Sequence, residues 1–202
     1  MMNRLVHNWH VYGLDESIAA SKYPKSVNPE SCTAEITDGI RRLAGCPTGT
    51  GHDNFLNGIV VQFDLTFSIK AWTEAERYHF LDFVSSQSTM HKIASFDIEK
   101  QCNEYVERQT VELCKFLAGE YNRNPTAENY LKLLYNVPVG FRLTARMTTN
   151  YRQLKTVYQQ RKNHRLPEWR EFCKWIEILP CSEFITGKDE ANEQGNTDGT
   201  HS

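Results

Sequence analysis

No run of about 18 apolar residues occurs in this 202-residue chain, so it offers no candidate for a membrane-spanning helix. The opening stretch MMNRLVHNWHVYG has no apolar core of the signal-peptide kind, and a cytoplasmic location is the expectation. Six cysteines are present (Cys32, Cys46, Cys102, Cys114, Cys173, Cys181), but no Cys-x-x-Cys pair. That scatter speaks against a zinc site and, in a reducing compartment, for free thiols. No Ser–His–Asp or Cys–His set stands at an informative spacing, so no protein nucleophile is legible. There is no internal repeat. Residues 187–202, GKDEANEQGNTDGTHS, hold almost nothing apolar and are expected to form a disordered tail after a single domain over residues 1–186.

A hydrophobic content of 40% with 11% aromatics is that of a soluble globular protein with a real core. The unevenly supplied commodity is positive charge. Residues 142–167, RLTARMTTNYRQLKTVYQQRKNHRLP, carry seven Lys or Arg and no acid. The whole chain has 23 basic and 25 acidic residues, so the remainder sums to −9. Positive charge concentrated in a slightly acidic protein points to an anion, most simply a phosphate-bearing ligand.

The coarse organisation follows from periodicity. Val61, Phe63, Leu65, Phe67 and Ile69 alternate with polar residues, which reads as a half-buried strand. Thr73 and Glu76 form a capping-box pair ahead of Tyr78, Phe80, Leu81 and Val84, predicting a helix that ends near residues 85–89. Residues 106–117 have helical spacing. Asn124–Pro125 predicts a cap and first turn for a helix through Leu134, broken by Pro138. Asn150 is placed to cap a helix carrying Arg152, Leu154, Tyr158 and Arg161. Pro167 starts a last helix with Trp169, Phe172, Cys173 and Ile176 facing inward, and Trp169 and Trp175 read as core or interface aromatics rather than stacking platforms. Residues 24–53, rich in Gly, Pro, Ser and Thr, read mostly as loop. The predicted class is α+β, a mixed or antiparallel sheet packed with helices that dominate the C-terminal half.

On the basic helix, Arg152 and Arg161 lie nine residues apart, two and a half turns, and so face opposite sides. Arg161, Lys162 and Arg165 cluster near its end and could clamp one anion, since guanidinium groups donate paired hydrogen bonds to phosphates and pyrimidine edges. A solvated cationic face and a helix-turn-helix reading nucleic acid are the alternatives. The acidic balance and a pI of about 6.4 argue against a nucleic-acid partner.

Three blocks then carry a resemblance. Pro138, Thr148, Asn150, Arg152, Leu154 and Arg161 reproduce the spacing P-x9-T-x-N-x-R-x-L-x6-R. Gln87, His91, Lys92 and Ser95 fall on the first half of a signature Q-x-x-R-H-R-x-x-S-x-N-E-x-S-x-R-Y. Gly51-His52 and Phe55, followed by a strand ending Ile69-Lys70-Ala71, match a third block, and Ser17 to Ser21 sits where a small-residue first helix is found. Together these resemble the flavin-dependent thymidylate synthases over about residues 5 to 180. Departures are Met90 and Lys92 for two arginines, Asp97 for Asn, Ile98 for Glu (with Glu99 one residue on), Lys100, Cys102 and Asn103 for Ser, Arg and Tyr, and Leu134 for an arginine before the proline.

The resemblance implies a homotetramer with FAD bound at subunit contacts. It implies reductive methylation of dUMP, or a related pyrimidine nucleotide, at C5, with methylenetetrahydrofolate and NADPH as co-substrates. The protein would position and polarise while the cofactor carries the chemistry. Position by position, Arg161 resembles the arginine holding the pyrimidine ring in its polarised form, a stabilisation worth roughly 3–4 kcal/mol. Gln87 resembles a nucleotide contact. His52, His91, Lys92, Ser95, Asn150 and Arg152 resemble flavin-side residues. No metal is implied. The substituted half of the signature also motivates a non-catalytic nucleotide-binding protein on the same scaffold.

Overall fold

A computed structural model describes residues 5–187. The predicted tail, apart from Gly187, lies outside the described residues. In chain order the elements are β1 (Val6–Tyr12), α1 (Leu14–Ala20), α2 (Asp38–Gly45), β2 (Val60–Ser68), α3 (Ile69–Ala75), β3 (Asp82–Ser86), α4 (Thr89–Lys92), α5 (Ile98–Gln101), α6 (Arg108–Arg123), α7 (Ala127–Tyr135), β4 (Arg142–Asn150), α8 (Tyr151–Arg161), α9 (Pro167–Ile176) and α10 (Glu183–Thr186), joined in places by 3-10 turns. The four strands form one antiparallel sheet in the order β1-β2-β4-β3. This is the α+β arrangement expected. Among the described residues no helix is long and apolar enough to cross a membrane.

The alternation along β2 sorts its side chains onto two faces. Val61, Phe63, Leu65 and Phe67 are fully buried on one of them, with Ala145 and Met147 of β4. They pack against Leu154, Val157 and Tyr158 of α8 and the aromatic row of α9. Phe63 meets Phe172 and Trp175, and Phe67 meets Trp169. The core placement read for Trp169 and Trp175 is what the structure shows. The opposite face is polar: Asp64 sits beside Arg146, and the Thr66 and Thr144 hydroxyls meet at 2.8 Å. A second, smaller core (Ile93, Ile98, Val111, Cys114, Ala118, Leu133, Phe141) lies under α6 and α7.

Two strand-to-helix junctions have no connecting loop. Asn150 closes β4 opposite Val60, and its Oδ1 accepts the Gln153 N–H at 2.8 Å, so the predicted cap is present. Ser68 closes β2 in the same way, its Oγ accepting from Ala71 N–H at 3.2 Å. That second junction overturns the Thr73–Glu76 capping box. The helix starts four residues earlier, at Ile69, and Thr73 lies inside it with its hydroxyl on the Ile69 and Lys70 carbonyls. The stretch read as the rest of that helix is instead a turn followed by β3.

Two other boundaries shift. Thr126, not Asn124, caps α7, its Oγ1 accepting from Asn129 N–H. Residues 24–53 are mostly loop, as read, but they also contain a helix that was not expected, α2, capped by Thr37 and burying Ile40 and Ala44.

Gly13 starts α1 at φ +72°, and a Cβ there would stand 2.5 Å from the Gly58 carbonyl oxygen. Gly13→Ala therefore combines left-handed strain with a backbone clash, and is expected to cost about 1–3 kcal/mol. A thermal melt checks this; an unchanged midpoint would contradict so close an approach.

Candidate functional site

The cations of residues 142–167 are largely answered by acids from the rest of the chain. Arg142 pairs with Glu104, Arg146 with Asp64, Arg152 and Lys155 with Asp53, and Arg161 with Glu74. The charge excess seen in sequence is thus mostly a set of internal pairs, and neither a wholly solvated face nor a clamp of Arg161, Lys162 and Arg165 describes it. Arg152 and Arg161 do lie in different surroundings, as their spacing required.

Arg161 ends α8 and is only 7% exposed. Its guanidinium lies 4.8 Å from the Trp169 ring and 5.4 Å from that of Tyr78. Nε donates to the Tyr78 hydroxyl at 2.6 Å, and Nη1 donates to Glu74 Oε2 at 2.8 Å. The Tyr78 hydroxyl donates onward to Gln160 Oε1 at 3.0 Å. Burial pushes the Tyr78 phenol up, so it keeps its proton. The hydrogen bond from Arg161 holds the Glu74 carboxyl below its usual range. His164 Nε2 touches Arg161 Nη1 at 2.7 Å; burial and that guanidinium push the imidazole down, keeping it neutral. Arg161 Nη2 makes no hydrogen bond among the described residues, which leaves one donor edge for a ligand.

The other end of α8 carries a cluster built on Asp53. Asp53 is 0% exposed, in the turn that follows Gly49 and Gly51, both with positive φ. Lys155, 4% exposed, donates to the Ala44 and Cys46 carbonyls at 2.6 and 2.5 Å and to Asp53 Oδ2 at 3.3 Å. Arg152 Nε stands 3.2 Å from Asp53 Oδ1, close enough for an ion pair but off line, so neither atom completes a hydrogen bond. The Arg152 side chain is 25% exposed, and its two terminal nitrogens make no hydrogen bond among the described residues. His52 is exposed beside Asp53. The structure therefore brings His52, Asn150 and Arg152 to one end of α8.

Gln87, His91, Lys92 and Ser95 are exposed on the segment after β3. Gln87 prolongs the ladder, its N–H donating to the Thr144 carbonyl and its Oε1 accepting the Thr144 N–H, each at 2.9 Å. Thr144 and Asn150 are six residues apart on β4, about 20 Å. Within one chain these four residues and the Arg152 group are not in one pocket. Asp97 pairs with Lys100 at 2.9 Å and caps α5, so its charge is balanced there, and Lys92 makes no ion pair among the described residues.

A cleft of about 620 Å³ opens between β2, the 103–107 turn and the start of α9. None of the sequence-predicted site residues lines it. Its charged wall is mainly acidic (Glu104, Glu107, Glu168, Glu171), and its two cations, Lys70 and Arg142, already pair with Glu74 and Glu104. Such a wall repels an anion, so charge chemistry rather than concavity locates the candidate site.

Sequence reasoning missed Asp53, Glu74, Tyr78 and His164. The available signal was for Asp53: Arg152 and Lys155, three residues apart, share a helix side, and a single acid adjoins His52 in the matching block.

No family model matches the chain, and no curated protein matches it. Among solved structures, the flavin-dependent thymidylate synthase ThyX of Helicobacter pylori, complexed with FAD and dUMP, matches with a TM-score of 0.70 at 17% identity, over 90% of this chain and 97% of that one. A second Helicobacter pylori ThyX structure with FAD and dUMP gives 0.68 at 17% identity, over 88% and 93%. The UMP/dUMP methylase PolB of Streptomyces cacaoi, bound with 5-Br dUMP, gives 0.59 at 15% identity, over 89% and 95%. At such identities the likeness establishes the fold, and it is the fold of the family that the sequence blocks resemble.

Proposed function

We propose that the chain is a divergent flavin-dependent enzyme acting on a pyrimidine nucleotide, by reductive methylation of dUMP or a relative at C5. The observation that carries this is the fold match over 97% of a protein solved with both FAD and dUMP. Methylenetetrahydrofolate and NADPH are the proposed co-substrates. The residues present suit FAD at its anionic end: Arg152 has a paired root and free terminal donors, and Lys92 is exposed without an ion pair. FAD, when bound, supplies the redox chemistry and relays the one-carbon unit.

The chain's own part is to hold and polarise. Arg152, Asn150 and His52 form the cofactor side at the start of α8, with His91, Lys92 and Ser95 contributing from the segment after β3. Gln87 offers its free amide N–H to the nucleotide. Arg161 presents its remaining donor edge to the pyrimidine, with its charge fixed between Trp169 and Tyr78. The separation of about 20 Å between Gln87 and Asn150 along β4 favours a pocket completed by further copies, and a homotetramer is the assembly proposed.

A second reading has its own support. Met90 lacks any charge where the resemblance implies arginine, and most of Arg161 is occupied by Glu74 and Tyr78. A nucleotide-binding protein without catalysis fits those two facts. Titration with FAD, read by the flavin's visible absorbance, followed by dUMP methylation, separates them. Flavin uptake with product formation is the expected result. Thermal stabilisation by dUMP without flavin uptake would establish the second reading, and neither response would remove both.

A further inference from the structure

We infer that Asp53 is a positioning residue whose buried carboxylate fixes the direction of Arg152 toward an anionic ligand. The inference rests on the reading of Arg152 as a flavin-side residue and extends it to a group that touches no ligand.

Three features of the cluster carry it. First, Asp53 has no exposure, so its charge has not been placed there for solvent. Burying a carboxylate is costly unless cations answer it, and both of its oxygens lie within 3.3 Å of one. Second, the two cations are treated differently. Lys155 is wholly consumed, its ammonium donating to two carbonyls and to Asp53. Arg152 engages Asp53 through Nε alone, at the inner edge of its guanidinium. The planar group is thereby turned so that its two terminal nitrogens lead outward from a buried anchor. Third, the carboxylate sits in the turn that also carries His52. Lys155, on the second turn of α8, ties in that turn through Asp53 and the end of α2 through the Ala44 and Cys46 carbonyls. One buried acid thus sets the relation between His52 and Arg152.

A guanidinium held at its root loses less freedom on binding than a free arginine, and this lowers the cost of gripping a phosphate. The alternative role for Asp53 is dilution of positive charge. The two roles predict opposite signs. Without its charge the cluster is more positive: if Asp53 only dilutes, Asp53→Asn binds anions more tightly; if it positions, Asp53→Asn binds them more weakly.

The experiment measures the Kd of FAD by flavin fluorescence, and of inorganic pyrophosphate by calorimetry, on the full chain, with folding followed by circular dichroism. Wild type, Asp53→Asn, Arg152→Ala and Arg152→Lys are compared. The expected result is a loss of about tenfold in Asp53→Asn, which leaves an oxygen facing Arg152 Nε but removes the buried charge that pairs with it. Arg152→Lys, which keeps the charge but has no Nε for Asp53 to hold, is expected to bind as poorly as Arg152→Ala. Equal or tighter binding by Asp53→Asn overturns the inference. Should Asp53→Asn fail to fold, Arg152→Lys decides alone, and wild-type affinity in that variant overturns it. If wild type binds pyrophosphate but not FAD, the flavin reading falls and the positioning role is judged on pyrophosphate. Binding of neither removes both.

Discussion

Arg161→Ala is expected to lower the melting temperature by roughly 6–12 °C, the equivalent of about 3 kcal/mol in a chain of this size. Removing the guanidinium leaves the Glu74 carboxylate short of its hydrogen-bonded cation, the Tyr78 hydroxyl without its donor, and the Trp169 ring without the charge stacked on it. Arg161→Lys keeps the charge and is expected to recover part of the loss. Arg161→Ala combined with Glu74→Gln is expected to be more stable than Arg161→Ala alone, because the stranded charge is gone. A single variant that melts with wild type would show that the cluster contributes nothing to stability, leaving Arg161 to function alone.

The same cluster fixes a pH dependence. Glu74 has a folded pKa below its unfolded value near 4.5, so its contribution is complete above that value and is lost as pH falls through the lower, folded one. His164 is a base whose folded pKa lies below 6.5, so the unfolded chain takes up its proton first and stability declines as pH drops from 6.5. Wild type is expected to weaken in two stages, below pH 6.5 and again below about 4.5. Arg161→Ala is expected to blunt both stages, since that guanidinium contributes to each shift. Denaturant midpoints across this range provide the check, and identical profiles for the two proteins would refute the assignment.

Phe67→Ala is the other change of large expected effect, roughly 3–5 kcal/mol. Its ring is fully buried, with centroids 4.9 Å from Trp169, 5.2 Å from Trp72 and 6.0 Å from Phe172. The rings around it are large and held by their own packing, and the melting temperature is expected to fall by roughly 6–20 °C. Because Trp169 underlies Arg161, nucleotide affinity is expected to fall as well. Val84→Ala on β3, where the side chain is 58% exposed, serves as the control and is expected to stay within about 0.5 kcal/mol. Equal losses in the two variants would contradict the layer assignment.

Legibility in the sequence followed burial. The alternation in β2 and the inward row of α9 were readable because each element buries a single face. The Asn150 cap was readable because a short polar side chain preceded a helical pattern. β3 was not: it is an edge strand exposed along its length, so no alternation marks it, and Tyr78, Phe80, Leu81 and Val84 mimic a helical stripe. The Thr73–Glu76 pair misled because Ser68 caps the same helix directly from the strand end. α2 was hidden by its surroundings of Gly, Pro and Ser, although Thr37 with Ile40 and Ala44 carries a cap and a buried face. In the site, the two-sided placement of Arg152 and Arg161 followed from the helical repeat alone. Their acidic partners did not, because Asp53 and Glu74 come from distant segments whose approach is decided by the tertiary fold.

β3 is bonded to β4 on one side and, among the described residues, has no strand on the other, and a register shift interrupts even that pairing between Phe83 and Ser85. Peeling it away breaks one short ladder, whereas displacing α8 would open the aromatic core. β3, with Gln87 at its end, is therefore the compliant element beside the proposed pocket and α8 the stationary one, while the segment bearing His91, Lys92 and Ser95 is anchored beyond it by Ile93 in the second core. Amide hydrogens along Asp82–Ser86 should exchange well before those of β2, and ligand capture should slow the former while leaving the latter untouched.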